Sequence, residues 1–397
     1  MDKIQFLKEN CPDRHNTSCS KWDILESKYG DPDLVSMWVA DMDFRAPREV
    51  TEALREKVDF GIYGYSMTKD SYYDAFIRWE EQCHGWKVEK DWIRFTPGVV
   101  TGIFWCMHML TKPGDAAIIN MPVYYPFHHA IEDIDRKLVY SELVNNGGVY
   151  SIDFGDFEQK IVDHQVKVYI LCSPHNPVGR VWTEEELEQL LEICARHNVT
   201  VISDEIHHDL IIGSRPHIPS ATVCGGKYAD NIITLTAASK TFNLAGMKNS
   251  FVVIPGEKLR AQFDRLVLNL HEDTGNMLGY YAVEAAYNHG REWLDTVISI
   301  IRGNYEYAAE RLARELPVAV LSPLEGTYLA WLDLSAYLGK SGEEGMKDFV
   351  QNKARLAVDY GDWFGAGGRG FIRLNLATTP EWVEKAIDGL AEAAKTL

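Results

Sequence analysis

The feature that most constrains this chain is an alternation of short apolar runs with helical patterns. Four runs rich in β-branched residues each end at a polar or turn-forming group, and they cover residues 116–120, 167–172, 199–203 and 231–236. Such runs are typical of strands buried on both faces of a parallel sheet. Between the second and third runs, residues 183–197 predict a helix with a capping box and an apolar stripe. This order predicts an α/β fold with right-handed crossovers.

The pattern changes after about residue 285. A long helical stretch is followed by short strands near 328–332 and 371–376 and by a helix from Pro380. We therefore expect a large, mostly parallel-sheet domain with helices on both faces over residues 41–285, and a smaller C-terminal α+β domain over 286–397. Residues 1–40 show little periodicity and are predicted to form an arm that packs on the small domain or on a partner subunit.

Composition excludes several classes of function. A formal net charge of −18 argues against a nucleic-acid partner, because phosphate backbones require Lys and Arg footprints. The seven cysteines are scattered and form no C-x-x-C pair, which favours reduced thiols in the cytoplasm over disulfides or a zinc site. No run of about 18 apolar residues occurs, so no membrane span is expected. The scattered cysteines give no reason to expect a metal site.

Polar residues follow three of the predicted strands. Asn176, Asp204 and Lys240 each come shortly after an apolar run, and ligands of open α/β sheets bind at the carboxyl ends of strands. Pyridoxal 5′-phosphate (PLP) needs these three groups: a lysine amine for its aldehyde, a carboxylate for its pyridine nitrogen and an amide donor for its ring oxygen. Taken singly, each residue has a plainer interpretation, as a surface lysine, a helix cap and a turn.

Two further requirements of PLP have candidates. Gly98, Val99, Val100 and Thr101 open the helical run GIFWCMHML, and backbone amides at a helix start bind phosphate. Tyr124 in MPVYYPF is a candidate plate for the face of the ring, although a buried loop tyrosine is an equally good interpretation.

The segments PVYYPF, SPHNPVGR, SDEIHHDL and SKTFNLAG, in this order, resemble fold-type-I PLP enzymes, the aspartate aminotransferase superfamily, over about residues 15–390. The resemblance implies a PLP-dependent transferase-like fold and PLP as cofactor. Its implied residue roles are Lys240 as catalytic residue bonded to the cofactor aldehyde, Asp204 at the pyridine nitrogen, Asn176 at the ring oxygen, Tyr124 over the ring and beside the substrate, Val99, Val100 and Thr101 at the phosphate, and Arg373 at the substrate carboxylate.

Three further residues are assigned to the surroundings of the cofactor. Lys248 stands where many aminotransferases have an arginine that binds the phosphate. Its ammonium either binds the phosphate as a single charge or points away from it. His207 stands where many have a tyrosine for the ring oxygen. Ser239, next to Lys240, is assigned to the cofactor surroundings. The alternative for Arg373 is a structural ion pair.

A narrower resemblance bears on the reaction. WVADMDF (38–44), together with Lys21-Trp22-Asp23, Tyr63-Gly64-Tyr65 and Glu325-Gly326-Thr327-Tyr328, is similar to the cystathionine β-lyase-like C–S lyases of the MalY/PatB type. This implies a homodimer in which Tyr65, or alternatively Tyr63, reaches the cofactor of the neighbouring subunit. It also implies β-elimination from an S-substituted L-cysteine, a small amino-acid substrate, to a thiol, pyruvate and ammonia. The alternatives are an aminotransferase acting on an L-amino acid and a 2-oxo acid, and a PLP protein with a regulatory protein-binding role.

Overall fold

The computed structural model describes residues 2–272, 274–338 and 342–396. Its α-helices are α1 (Lys3–Asn10), α2 (Ser20–Asp23), α3 (Leu25–Tyr29), α4 (Arg48–Phe60), α5 (Asp70–His84), α6 (Val99–Leu110), α7 (Pro126–Glu132), α8 (Phe154–His164), α9 (Glu184–Arg196), α10 (Val223–Gly226), α11 (Ala238–Thr241), α12 (Glu257–Leu270), α13 (Met277–His289), α14 (Arg291–Glu315), α15 (Ser335–Leu338), α16 (Gly342–Lys347) and α17 (Pro380–Ala394). Its strands are β1 (Val35–Ser36), β2 (Ile93–Thr96), β3 (Ala116–Met121), β4 (Lys137–Glu142), β5 (Val144–Asn146), β6 (Val149–Ser151), β7 (Val168–Cys172), β8 (Thr200–Asp204), β9 (Ile232–Thr236), β10 (Ser250–Val253), β11 (Val320–Leu321), β12 (Leu329–Asp333), β13 (Leu356–Ala357), β14 (Asp359–Tyr360) and β15 (Phe371–Asn375).

The central sheet has seven strands in the order β2-β10-β9-β8-β7-β3-β4. The neighbours from β9 to β4 are parallel, while β10 is antiparallel to both β9 and β2. Because β10 is antiparallel to both of its neighbours, β2 runs in the same direction as the parallel strands. All strands except β10 therefore end at one edge of the sheet, and the predicted α/β fold with a mostly parallel sheet is confirmed.

Helices cover both faces of this sheet, so its central strands are buried throughout. In β7, Tyr169 and Leu171 pack in a core with α8 and α9, whereas Val168 and Ile170 pack in a second core with α6, α7 and α12. This alternation is the two-residue period of a strand. The capping box predicted for residues 183–197 is present at the start of α9.

The C-terminal part contains an antiparallel sheet of order β11-β12-β15-β14, packed with α14 and α17. The first residues contact this part: Val35 of β1 pairs with Leu356 of β13, and Phe6 of α1 lies against Trp293 of α14. The short helices α1 to α3 were not predicted. The domain boundaries at residues 40 and 285 stay predictions. In the part of the chain that the structure describes, no helix combines the length and apolarity needed to cross a membrane.

A buried ion pair ties the first residues to the WVADMDF segment. Lys21 is 0% exposed, and its Nζ donates to Asp43 Oδ2 at 2.6 Å and to the Asp41 carbonyl at 3.1 Å. Trp22 Nε1 donates to the other carboxylate oxygen of Asp43. Burial opposes ionisation of Asp43, but the charge and hydrogen bond of Lys21 hold its pKa below the ordinary value.

We expect Lys21→Met to destabilise the protein by about 3 kcal/mol, because it removes the buried ammonium from the Asp43 carboxylate and leaves only Arg14, whose Nη1 lies 3.2 Å from Asp43 Oδ1. Urea unfolding followed by tryptophan fluorescence measures the change. The control is Lys8→Met on the exposed side of α1, which should have little effect. Equal stabilities for the Lys21→Met variant and the parent would contradict this role of the pair.

Candidate active site

The strand ends surround a cavity of about 200 Å³, far more than the roughly 10–15 Å³ that one water requires. Its lining brings together residues that are more than a hundred positions apart in sequence. The predicted residues that line it are Val99, Val100, Thr101, Tyr124, Asn176, Asp204, His207, Ser239, Lys240 and Lys248. Two predicted residues are absent from this lining: Arg373, which contacts it through Asn176, and Tyr65, which is fully exposed on the isolated chain.

Lys240 lies in the short helix α11 that follows β9. Its Nζ donates to the carbonyl of Ala40 at 2.7 Å, so the WVADMDF segment holds the amine. Burial lowers the pKa of Lys240 to about 8, and the nearby Asp41 and Asp204 carboxylates oppose this shift. The amine is therefore uncharged much more often near neutral pH than that of a solvated lysine, which makes it a usable nucleophile and base.

Asp204 is the last residue of β8. Its Oδ1 accepts a hydrogen bond from the Ile206 amide at 3.1 Å. Burial raises the pKa of Asp204 to about 7, although this bond and the charge of Lys240 favour the carboxylate. A cationic ring nitrogen placed beside Asp204 would stabilise the charge that burial opposes.

Arg373 forms a buried ion pair as well as a contact with the cavity. Its Nη1 donates to Asn176 Oδ1 at 2.9 Å, and its Nη2 donates to Asp359 Oδ2. Asp359 and Arg373 are register partners on β14 and β15, which explains the pair. The guanidinium also lies 4.9 Å from the ring centroid of Phe364. The ion pair with Asp359 thus orients the arginine beside Asn176.

Two buried polar atoms on the cavity lining have no hydrogen-bond partner among the described residues. They are Nδ1 of His207 and Nδ2 of Asn249. Burial, together with the charges of Lys240 and Arg373, holds the pKa of His207 well below its usual range, so the ring is neutral. An unpaired buried donor costs about 1–3 kcal/mol, which a polar ligand in the cavity would offset.

The start of α6 lies close to Asn249, because Thr96 of β2 is the register partner of Ser250 of β10. The residues from Gly98 to Thr101 line the cavity, and the first amides of a helix have no partner within the helix. Together with the Asn249 amide, they form a donor set suited to an anion. Tyr124 lies at the side of the cavity, and its backbone amide donates to the Asn176 carbonyl at 3.1 Å.

The sequence did not identify several lining residues, among them Ala40, Cys172, Ile206, Asn249 and Ser250. Asn249 and Ser250 follow Lys248 directly, so their position next to a predicted site residue could have identified them. The contribution of Ala40 is a backbone carbonyl, which no side-chain pattern reveals. Asp359 also escaped notice because its partner lies on a different strand.

The aminotransferase class I and II family model matches residues 32–390. This chain belongs to that family. The cystathionine β-lyase PatB of Bacillus subtilis (strain 168) is 42% identical over 363 residues, covering 91% of this chain and 93% of the relative. Both the predicted fold and the predicted family are therefore confirmed.

Solved structures of the family agree with the fold over its whole length. Cystalysin from Treponema denticola, which contains PLP, matches with a TM-score of 0.93 and 36% identity, covering 97% of this chain and 98% of that one. A PLP-bound C–S lyase from Staphylococcus hominis matches with a TM-score of 0.90 and 35% identity over 96% of each chain.

The raised pKa of Asp204 has a consequence for stability. An acid with a folded-state pKa of about 7 and an ordinary value of 3.8 weakens the fold as pH rises between these values, because the unfolded chain releases its proton first. We expect Asp204→Asn to stabilise the ligand-free protein, by an amount that grows from pH 4 to pH 7 and reaches on the order of 4 kcal/mol.

Urea unfolding of the ligand-free protein at a series of pH values measures this effect. Asp59→Asn, at an exposed position of α4, is the matched control and should leave the pH profile unchanged. A profile for Asp204→Asn that runs parallel to that of the parent would show that the Asp204 carboxyl is not desolvated.

Proposed function

We propose that this protein is a PLP-dependent carbon–sulfur lyase that eliminates a thiol from S-substituted L-cysteines such as cystathionine. The observation that carries the proposal is the convergence of Lys240, Asp204 and Asn176 with the start of α6 in one desolvated cavity. The choice of elimination rests on relatives named as cystathionine β-lyase and C–S lyase. The overall reaction converts the thioether and water to a thiol, pyruvate and ammonia.

The donor set fits PLP. Lys240 would bond the aldehyde carbon, Asp204 would pair with the pyridine nitrogen, and Asn176 would lie at the ring oxygen with the neutral His207 nearby. Tyr124 would cover the ring face. The amides of Val99, Val100 and Thr101, with Asn249 and Lys248, would hold the phosphate, and Ser239 would lie beside the lysine. The partnerless atoms of His207 and Asn249 support a polar ligand in these places.

PLP, when bound, supplies a ring that accepts the electron pair left at the substrate Cα when its proton is removed. Lys240 would be the base that removes this proton, since burial lowers its pKa to about 8 and so raises the uncharged fraction of its amine near neutral pH. Asp204 would keep the ring nitrogen protonated. Arg373 would bind the substrate carboxylate and orient the Cα–H bond toward Lys240. The departing thiolate would take up the proton that Lys240 removed from Cα.

A homodimer is part of the proposal. Residues 60–67 expose a run of large apolar side chains on the isolated chain: Phe60, Ile62, Tyr63, Tyr65 and Met67 are each at least 62% exposed. An apolar patch of this kind favours burial against another subunit. Tyr65, with Tyr63 as alternative, would then reach the cofactor phosphate of the neighbouring subunit.

Turnover with a cysteine thioether alone tests the reaction. We expect L-cystathionine to give many turnovers of pyruvate, ammonia and thiol without any 2-oxo acid, because elimination returns the cofactor in its aldehyde form. Coupled lactate dehydrogenase measures the pyruvate, and a thiol reagent measures the thiol. Lys240→Ala is the control, and it should lose the cofactor absorbance in the visible range along with nearly all activity.

Two results would contradict parts of this proposal separately. Bleaching of the cofactor after a single turnover, with recovery on adding 2-oxoglutarate, would establish an aminotransferase and leave the PLP assignment intact. A Lys240→Ala variant that keeps full activity would remove the PLP assignment itself.

The role of Arg373 is tested by a pair of variants. Arg373→Lys removes the planar fork, so we expect KM for the amino acid to rise by the equivalent of about 2–5 kcal/mol, with PLP retained. Asp359→Asn breaks the ion pair but keeps the guanidinium, so it should change KM much less. If both variants lose stability equally and neither changes KM, Arg373 is structural only.

A further inference from the structure

A second group of ionisable side chains lies beneath the helix that carries Lys240, outside the cavity. Each of these side chains is at most 6% exposed, and they are Glu80, His84, Glu205, His208, Asp209 and His217. Thr241, the neighbour of Lys240, donates to Asp209 Oδ2 at 2.8 Å. The group thus adjoins the active site without lining it.

The three carboxylates of this group need compensating charge. Among the described residues, their ion pairs are all made to imidazoles: Glu80 and Asp209 to His208, Asp209 also to His84, and Glu205 to His217. Imidazole carries no permanent charge near neutral pH, in contrast to Lys or Arg. Buried carboxylates are stable when they are paired with cations or when they bind a metal ion.

His208 is oriented as a ligand. Its Nδ1 lies 2.6 Å from the Glu205 carbonyl oxygen, which can only accept, so Nδ1 carries a proton and Nε2 is the nitrogen that can offer a lone pair to an ion. Among the described residues, the buried Nε2 makes no hydrogen bond of good geometry, and it faces Glu80 Oε1 at 3.2 Å and Asp209 Oδ2 at 3.4 Å. A backbone carbonyl bonded to the other ring nitrogen is the usual outer-shell partner of a metal-binding histidine.

Glu80 and His84 complete a donor set on one face of α5, since they are four residues apart. Glu80 Oε1 is also buried and makes no hydrogen bond within the described part of the chain, and it lies 3.2 Å from His208 Nε2. Two ligands of a tetrahedral zinc ion stand about 3.3–3.5 Å apart, given metal–ligand distances of about 2.0–2.2 Å. His84 Nε2 lies 2.8 Å from Asp209 Oδ1, so a neutral His84 that donates there keeps the lone pair of its Nδ1 for an ion.

We propose that Glu80, His84 and His208 bind one divalent transition-metal ion of the zinc class. One donor atom from each residue lies within 4.8 Å of the others. Asp209 Oδ2, 3.4 Å from His208 Nε2, or a water completes the coordination. The ion joins α5 to the segment after β8 and, through Asp209 and Thr241, supports the helix that carries Lys240. It has a structural role and takes no part in the elimination.

Metal titration of the tag-free holoenzyme tests the site. After treatment with a chelator, we expect one Co²⁺ per chain, with visible d–d bands of four- or five-coordinate nitrogen and oxygen ligands. Zn²⁺ should displace Co²⁺, following the usual affinity order, and raise the melting temperature by a few degrees, because the ion binds only the folded state.

Ligand variants locate the ion. His208→Gln and Glu80→Gln should each weaken Co²⁺ binding by at least about 100-fold, since loss of an outer-shell partner alone costs about 10–100-fold. The matched control is His129→Gln, an exposed histidine that pairs with Asp133 one turn away, and it should bind Co²⁺ like the parent.

The competing occupant of the same position is a proton on His208 Nε2, shared between Glu80 and Asp209. If the parent binds no stoichiometric Co²⁺ or Zn²⁺ at micromolar concentration, or if both ligand variants bind as tightly as the parent, the proposal fails. Failure of either variant to fold leaves the other variant and the parent's stoichiometry to decide. None of these readouts depends on lyase activity.

Discussion

Desolvation at the carboxyl edge of the parallel sheet is the constraint on which the site depends. The strands are buried on both faces, so the residues at their ends lie below the surface and lose contact with water. There, burial raises the pKa of Asp204 to about 7 and lowers that of Lys240 to about 8. Both shifts make the ligand-free pair less stable as ions and ready to pair with a ligand that supplies its own charges.

The WVADMDF segment binds the residues at this edge through its backbone carbonyls. The Lys240 amine donates to Ala40, the Asn243 side chain donates to the carbonyls of Met42 and Phe44, and the Asn375 side chain donates to those of Val39 and Asp41. Side chains that follow β9 and a side chain of β15 thus donate to the same short segment. The segment couples the first residues, the central sheet and the C-terminal sheet to the geometry of the lysine.

The residues that bind the cofactor do not by themselves choose between elimination and transamination. Both reactions require the same acidic ring partner, the same lysine and the same carboxylate anchor. What differs is whether a leaving group departs from Cβ before a proton returns, and this depends on the substrate and on how the site holds it. The similarity to named C–S lyases, rather than the geometry of Asp204 and Lys240, therefore supports the choice of elimination.

The amino-acid sequence by itself determined the fold class, the helix from 184 to 196 and the candidates Lys240, Asp204 and Asn176, because each of these signals is local. A buried strand, a capping box and a polar residue at a strand end can all be recognised within about ten residues. The order of strands and helices along the chain then predicted that the strand ends meet at one crevice. The short helices α1 to α3 escaped detection, since their stability comes from packing against distant residues rather than from their own periodicity.

Only the tertiary structure decided which groups meet. The pairing of Arg373 with Asp359 follows from the register of β14 and β15, and the contact of Lys240 with the Ala40 carbonyl joins positions 200 residues apart. The six buried ionisable groups that include His208 come from α5, from the segment after β8 and from His217, and no spacing in the sequence indicates that they meet. Such contacts depend on how the chain closes on itself, and burial, which shifts the pKa values, exists only after it has done so.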